Sequence, residues 1–292
     1  SRWSWSCKTC AYPLMALERL AVLCARVGIC SRSEAVRYIR LGLVAVDGKP
    51  IENAAAMVPD NASIELLDRG KRMQASKVTI MLHKPLHFAS CRASANTPLA
   101  RSLLVPQNRA VDCQSRVDPR HLSRLAAADV LDEGSTGLLI FSQDGRVSTC
   151  VSRDPSLEKE YIIQVAKEAS ASQLAALKGG LLAVASSSGG ASAGIEGELG
   201  GVKSGGQLAS VEQVSPEELS VTIHGSVSSN VVHQMCALAG IRHKGISRTR
   251  LGPHVRLGAL PVGQWTLVRA MDLLRTVSCQ SLTDRRTISK YR

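Results

Sequence analysis

The chain has 292 residues, room for two or three domains and a sizeable core, and its apolar share of 45% fits a globular protein. Its net charge of +12 favours a polyanionic partner, and no apolar run approaches the roughly 20 residues of a membrane-spanning helix, so no membrane partner is expected. Aromatics make up only 3%, which argues against recognition by rows of stacked bases.

The first residues carry Cys7-Lys8-Thr9-Cys10, which has metal-ligand spacing but no second Cys or His pair at finger distance. Two unpaired thiols are the simpler reading, and no metal is expected. The nine cysteines are odd in number and unpatterned, as free thiols in a reducing compartment would be. The chain opens at Ser1 and nothing in it reads as a signal peptide. Removal of a presequence and import into a mitochondrion or another organelle with ribosomes is one expectation, and the cytoplasm is the other.

Residues 16–66 read as one compact unit after an extension over 1–15. Leu17, Leu20, Ala21, Leu23, Cys24 and Val27 recur at helical spacing, and Gly28 closes that helix. Ser31-Arg32-Ser33-Glu34 is a capping-box pattern that opens a second helix through Ile39 to Gly42. Leu43–Val46 and an Asp47-Gly48 turn then predict a hairpin. Arg32, Arg37 and Arg40 fall outside the apolar stripe of the second helix. A charged outer face is commonly only a solvated one. The order helix, Gly, capped helix, Gly, hairpin also resembles the S-four-like RNA-binding module. That resemblance implies that Arg32, Arg37 and Arg40 lie against RNA phosphates.

Residues 67–77 are polar and basic and read as a linker. Val78–Leu82 predicts a strand, followed by His83-Lys84-Pro85, and Ser94–Asp129 reads as irregular. Val130-Leu131-Asp132-Glu133-Gly134-Ser135-Thr136-Gly137 sets one aspartate on a loop ahead of the apolar run Leu138–Phe141, closed by an Asp144-Gly145 turn. Tyr161–Val165 and Leu219–His224 predict further strands. Ser170–Leu177 and Val232–Ala239 predict helices, and Ser186–Gly206 reads as a Gly/Ser/Ala-rich loop. The last segment, 272–292, has no assigned role. Strands and helices without regular βαβ alternation predict an α+β fold on a mainly antiparallel mixed sheet for residues 78–271.

Six motifs in order resemble the RsuA-type ribosomal RNA pseudouridine synthases. They are His83-Lys84-Pro85; Asp132 with Ser135 and Gly137-Leu138-Leu139; Glu158-Lys159-Glu160-Tyr161; Met235-Cys236 with Gly240; Arg248-Thr249-Arg250-Leu251-Gly252-Pro253; and Leu257-Gly258 to Gly263-Gln264-Trp265. The resemblance implies the pseudouridine synthase fold, isomerisation of uridine in ribosomal RNA, and no cofactor. It makes Asp132 the essential carboxylate, Tyr161 the surface on which uracil packs, and Lys84 a residue that binds the RNA substrate. Such a carboxylate must stay ionised although partly buried, and a nearby cation serves that purpose.

This chain departs from the pattern in two places. Val130 stands where the family has arginine, and Val227–Gln234 replaces a strongly basic run before Met235. Counting back from Met235 puts His233 where the family's Arg or Lys pairs with the aspartate. His233 is alternatively an ordinary helix residue, and Asp132 alternatively a loop cap. From Leu219 to Met271 there is no acidic residue, whereas six arginines and lysines occur there, which points independently to phosphate contact. Arg248 and Arg250 alternate on one strand and are expected to share a face and touch RNA.

Three functions follow for comparison. The first is a pseudouridine synthase acting on ribosomal RNA. The second is an inactive homologue serving as a ribosome-associated or assembly RNA-binding protein, with ribosomal proteins or assembly factors as further partners. A hydrolase using Asp132 and Glu133 is the third, but adjacent carboxylates rarely oppose one another across a bond. No nucleotide cofactor is implied by any of them.

Overall fold

A computed structural model describes residues 16–92, 97–110, 118–187, 206–225 and 227–274. The Cys7/Cys10 pair, most of the Gly/Ser-rich stretch (188–205) and the end of the tail (275–292) lie outside the described residues. The chain divides into two compact units at Arg72/Met73.

The first unit contains β1 (Leu17–Arg19), α1 (Leu20–Arg26), α2 (Arg32–Arg40), β2 (Val44–Val46), β3 (Lys49–Ile51), β4 (Met57–Pro59) and β5 (Ile64–Leu66). Leu17 belongs to a short strand paired with β4 and is exposed, so the first helix begins three residues later than its spacing suggests. Glu34 closes the start of α2 by accepting from the Ser31 backbone N–H (2.9 Å) and hydroxyl (2.8 Å). Asp47 (φ 49°) and Gly48 (φ 80°) form the left-handed turn between β2 and β3, as their sequence demands. Strand β2 lies between β3 and β5, and Leu20, Leu23, Cys24, Ala35, Tyr38 and Ile39 fill the core.

The expected linker is helical: α3 spans Asp68–Ala75. It lacks the apolar stripe that announces a helix, yet Arg, Lys, Met and Gln are all good helix formers.

The second unit holds β6 (Thr79–Lys84), β7 (Ala126–Ala127), β8 (Ser135–Ser142), α4 (Gly145–Arg153), β9 (Glu158–Val165), α5 (Ala171–Ser187), β10 (Gly206–Ser215), β11 (Glu218–Gly225), α6 (Ser229–Leu238), β12 (His243–Leu251), β13 (Val255–Arg256), β14 (Trp265–Val268) and α7 (Ala270–Leu274). Seven strands run in the order β10-β11-β9-β12-β8-β6-β14, with β7 beside β8 and β13 beside β12. The β12–β8 pair is parallel; the other pairs are antiparallel. This is the α+β architecture with a mainly antiparallel sheet.

Strand β8 explains why its sequence is apolar without interruption. Leu139 and Phe141 face a core shared with Ile80, Leu82, Ile163 and, on α6, Val232 and Met235. Leu138 and Ile140 face the opposite core, with Val147 and Val151 of α4 and Leu273 of α7. A strand covered on both faces needs apolar residues at every position. Each such side chain contributes roughly 1.5–3 kcal/mol on burial. Asp144 closes the run as the cap of helix α4, accepting from the Arg146 backbone N–H at 3.0 Å. Among the described residues, no helix is long and apolar enough to cross a membrane.

Candidate active site

A row of residues crosses four central strands in register. Lys84 on β6 lies opposite Gly137 on β8, Gly137 opposite Arg248 on β12, and Arg248 opposite Tyr161 on β9. Residues paired in this way project from the same face of a sheet. Lys84, Arg248 and Tyr161 are fully buried there.

The charges in this row are held by specific partners. Arg248 donates through Nε to Leu138 O (2.8 Å) and through Nη1 to Asp129 Oδ2 (2.9 Å). Lys159, two residues before Tyr161 on the same face, donates to the same oxygen at 2.7 Å. Burial works to raise the Asp129 carboxyl, but Lys159 and Arg248 outweigh it and hold its pKa below the ordinary value. Among the described residues Lys84 has no such carboxylate bond: its ammonium donates to Pro85 O (3.0 Å) and Phe88 O (2.8 Å). Burial lowers its pKa to about 8, against the pull of the Asp132 and Glu133 carboxylates. Tyr161 Oη and Arg248 Nη2 are buried and have no hydrogen-bond partner among the described residues.

Asp132 stands on the loop that enters β8. Ser90 Oγ grips that loop by donating to Leu131 O (2.6 Å) and accepting from Leu131 N–H (3.0 Å). Ser229, at the start of α6, accepts from the Asp132 backbone N–H at 2.7 Å. Asp132 Oδ2 itself accepts from Gly134 N–H at 3.1 Å, a turn that fixes the carboxylate direction. The side chain remains 41% exposed. A fixed backbone beneath an accessible carboxylate is the arrangement a reacting group needs.

The nearest charged-capable partner of that carboxylate is His233, whose Nε2 lies 3.8 Å from Asp132 Oδ2. Helix α6 therefore places His233 where counting from Met235 puts it. The same Nε2 lies 2.9 Å from Ser135 Oγ, and Nδ1 lies 3.3 Å from His243 Nε2. Burial, followed by the neighbouring His243, lowers the His233 pKa; Asp132 opposes this. No arginine or lysine among the described residues forms an ion pair with Asp132.

The structure separates Arg248 and Arg250, against the expectation that they share a face. Arg248 pairs with Tyr161 in register, whereas Arg250 pairs with its neighbour Glu160, so one extra residue, Thr249, bulges the strand. Arg250 consequently projects to the other side, where it binds Glu160 Oε2 and Glu158 Oε2, each at 2.6 Å, and is 12% exposed. Both guanidiniums pair with internal carboxylates in this structure. Arg32, Arg37 and Arg40 are exposed on α2 of the first unit. Asp129, His243 and the ion-pairing of Lys159 are parts of the site that sequence reading does not find. Asp129 sits in an Ala-rich run, and only the sheet register brings it to Lys159 and Arg248.

Residues 18–64 match the S4 domain family. Across 87% of this chain and 97% of the other, the fold matches a solved structure described as a pseudouridylate synthase, with TM-score 0.51 and 21% identity. An archaeal box H/ACA sRNP Nop10-Cbf5 complex matches over 71% of this chain and 56% of that one, at 16% identity and a TM-score of 0.35. A Cbf5-Nop10-Gar1 complex matches over 62% and 51%, at 16% identity and a TM-score of 0.34. Comparison with curated protein sequences gives no match. The fold is that of a pseudouridine synthase. At its amino terminus the chain carries an S4 domain.

Proposed function

We propose that this protein binds structured ribosomal RNA and isomerises a uridine in it to pseudouridine. The observation that carries the reading is Asp132: an accessible carboxylate on a doubly anchored loop, at the end of a strand that crosses a floor of buried Lys84, Arg248 and Tyr161. The reaction exchanges one bond for another. The ribose C1′–N1 bond breaks, C1′–C5 forms, C5 loses a proton and N1 gains one, with no net change in composition. Only one group must act on the sugar, and Asp132 takes that role as nucleophile or base. The base must leave its stack, which costs a few kcal/mol that pocket contacts offset. Tyr161 supplies the flat apolar wall and Lys84 the positive field beneath Asp132. Arg32, Arg37 and Arg40 dock the RNA through phosphate.

A second reading is an RNA-binding protein that kept the fold without turnover, acting in ribosome assembly. Two observations favour it. Tyr161 has no surface open to a base unless the side chains above it part, and Asp132 faces an imidazole instead of a permanent cation.

The test compares wild type with Asp132→Asn on ribosomal RNA, mapping pseudouridine chemically and measuring binding in parallel. Product from wild type alone, with equal RNA affinity for both, establishes the enzyme. Binding without product from either establishes the second reading.

A further inference from the structure

His233 is more than a substitute for a missing arginine, because the residues around it constrain its proton. Its Nδ1 faces His243 Nε2 at 3.3 Å, with ring centroids 4.9 Å apart. One hydrogen fits between two nitrogens at that distance, so the pair accommodates one positive charge and not two. On its other side, Nε2 meets Ser135 Oγ at 2.9 Å and Asp132 Oδ2 at 3.8 Å. Gly134 keeps that side open: a Cβ there would come within 3.2 Å of Asp132 Oδ2 and 3.7 Å of His233 Nε2.

We infer that His233 is a proton-operated counter-ion for Asp132, with His243 as its positioning residue, so that one shared proton sets the charge of the site. The inference rests on the reading of Asp132 as the reacting carboxylate. In the neutral pair, His243 donates from Nε2 to His233 Nδ1, and His233 presents Nε2–H to Ser135. When a proton is added at His243 Nδ1, the hydrogen between the rings shifts to His233 Nδ1, so that His233 carries hydrogen on both nitrogens and His243 holds the new one. The imidazolium then lies beside an ionised Asp132 and supports its charge. Loss of that proton leaves the carboxylate with no close cation, a state that an arginine in this place never reaches.

Few other charges bear on the pair. The Asp132 loop adds Glu133, the floor adds Lys84, and exposed Arg242, just before β12, and Lys244, on it, flank His243. Helix α5, packed on α6, contributes only the exposed Lys178. Burial, followed by His243, pushes the His233 pKa below the ordinary imidazole value, with Asp132 opposing, in keeping with a counter-ion whose charge depends on an added proton.

The experiment has two arms on the full chain. Histidine ring resonances are followed from about pH 5 to about pH 9 in wild type, Asp132→Asn, His243→Phe and His243→Gln. Removing Asp132's charge should lower the His233 titration midpoint, and either His243 change should raise it, by about half a unit or more. The second arm measures pseudouridine formation across the same range in wild type and His233→Arg. Wild-type activity should fall about tenfold per pH unit above the His233 midpoint, while His233→Arg stays flat. A His233 midpoint indifferent to Asp132→Asn, or wild-type activity without this decline, overturns the inference. Intact histidine coupling with no product from wild type or His233→Arg at any pH overturns the isomerase reading instead.

Discussion

Gly137 and Arg248 face each other across β8 and β12 with no room for a side chain between them. A Cβ on Gly137 would collide with Arg248 O, lie 2.6 Å from Arg248 N and 2.8 Å from Ser247 Oγ, and Gly137 holds φ at +105°. The missing side chain is what lets β8 and β12 run together as the parallel pair beneath Asp132.

Gly137→Ala must therefore both strain the backbone and push two core strands apart. The expected cost is about 2–4 kcal/mol. Urea unfolding monitored by circular dichroism checks it, and an unchanged midpoint would mean that the strands separate freely.

Lys84 gives the fold a signature in alkali. Its folded pKa, about 8, lies below the ordinary lysine value of 10.5. Between those values the unfolded chain holds a proton that the folded chain lacks, so stability attributable to this residue rises with pH across that window and is flat below it. The expected rise is on the order of 1–3 kcal/mol. Comparing unfolding free energies at about pH 7.5 and about pH 10 in wild type and Lys84→Met isolates the contribution, since other groups titrate alike in both. Equal pH dependence in the two proteins would show that Lys84 stays charged and hydrated.

The S4 domain's arginines make a separate prediction. Replacing Arg32, Arg37 and Arg40 together by glutamine removes three exposed positive charges from α2 without touching the Ser31–Glu34 cap. If all three meet phosphate, the slope of log affinity against log salt should shrink by about 2–3. Thermal unfolding should stay unchanged, because the side chains lie outside the core. An unaltered slope in a filter-binding series would place the phosphate contacts elsewhere.

Much of this architecture could be read from local pattern. Ser31 with Glu34, the Asp47-Gly48 turn and the apolar run of β8 each announce an element through neighbouring residues alone. The placement of His233 beside Asp132 rested instead on the resemblance to the RsuA-type family, through its offset from Met235. What escaped reading was non-local or relied on a missing pattern. Helix α3 has no apolar stripe to reveal it. Asp129 meets Lys159 and Arg248 only because two strands and a loop converge. His243 gains its role from a residue ten positions away on another element. The shared face expected of Arg248 and Arg250 assumed an unbroken strand, and a single bulged residue invalidates that assumption.

That bulge changes what alternation means along β12. Thr249 adds a position that strand β9 does not match, so inside and outside trade places partway along the strand. Strict two-residue counting from Arg248 therefore puts Arg250 on the wrong side of the sheet. Its charge would be credited to the cleft, when in this protein it braces Glu158 and Glu160 on the reverse.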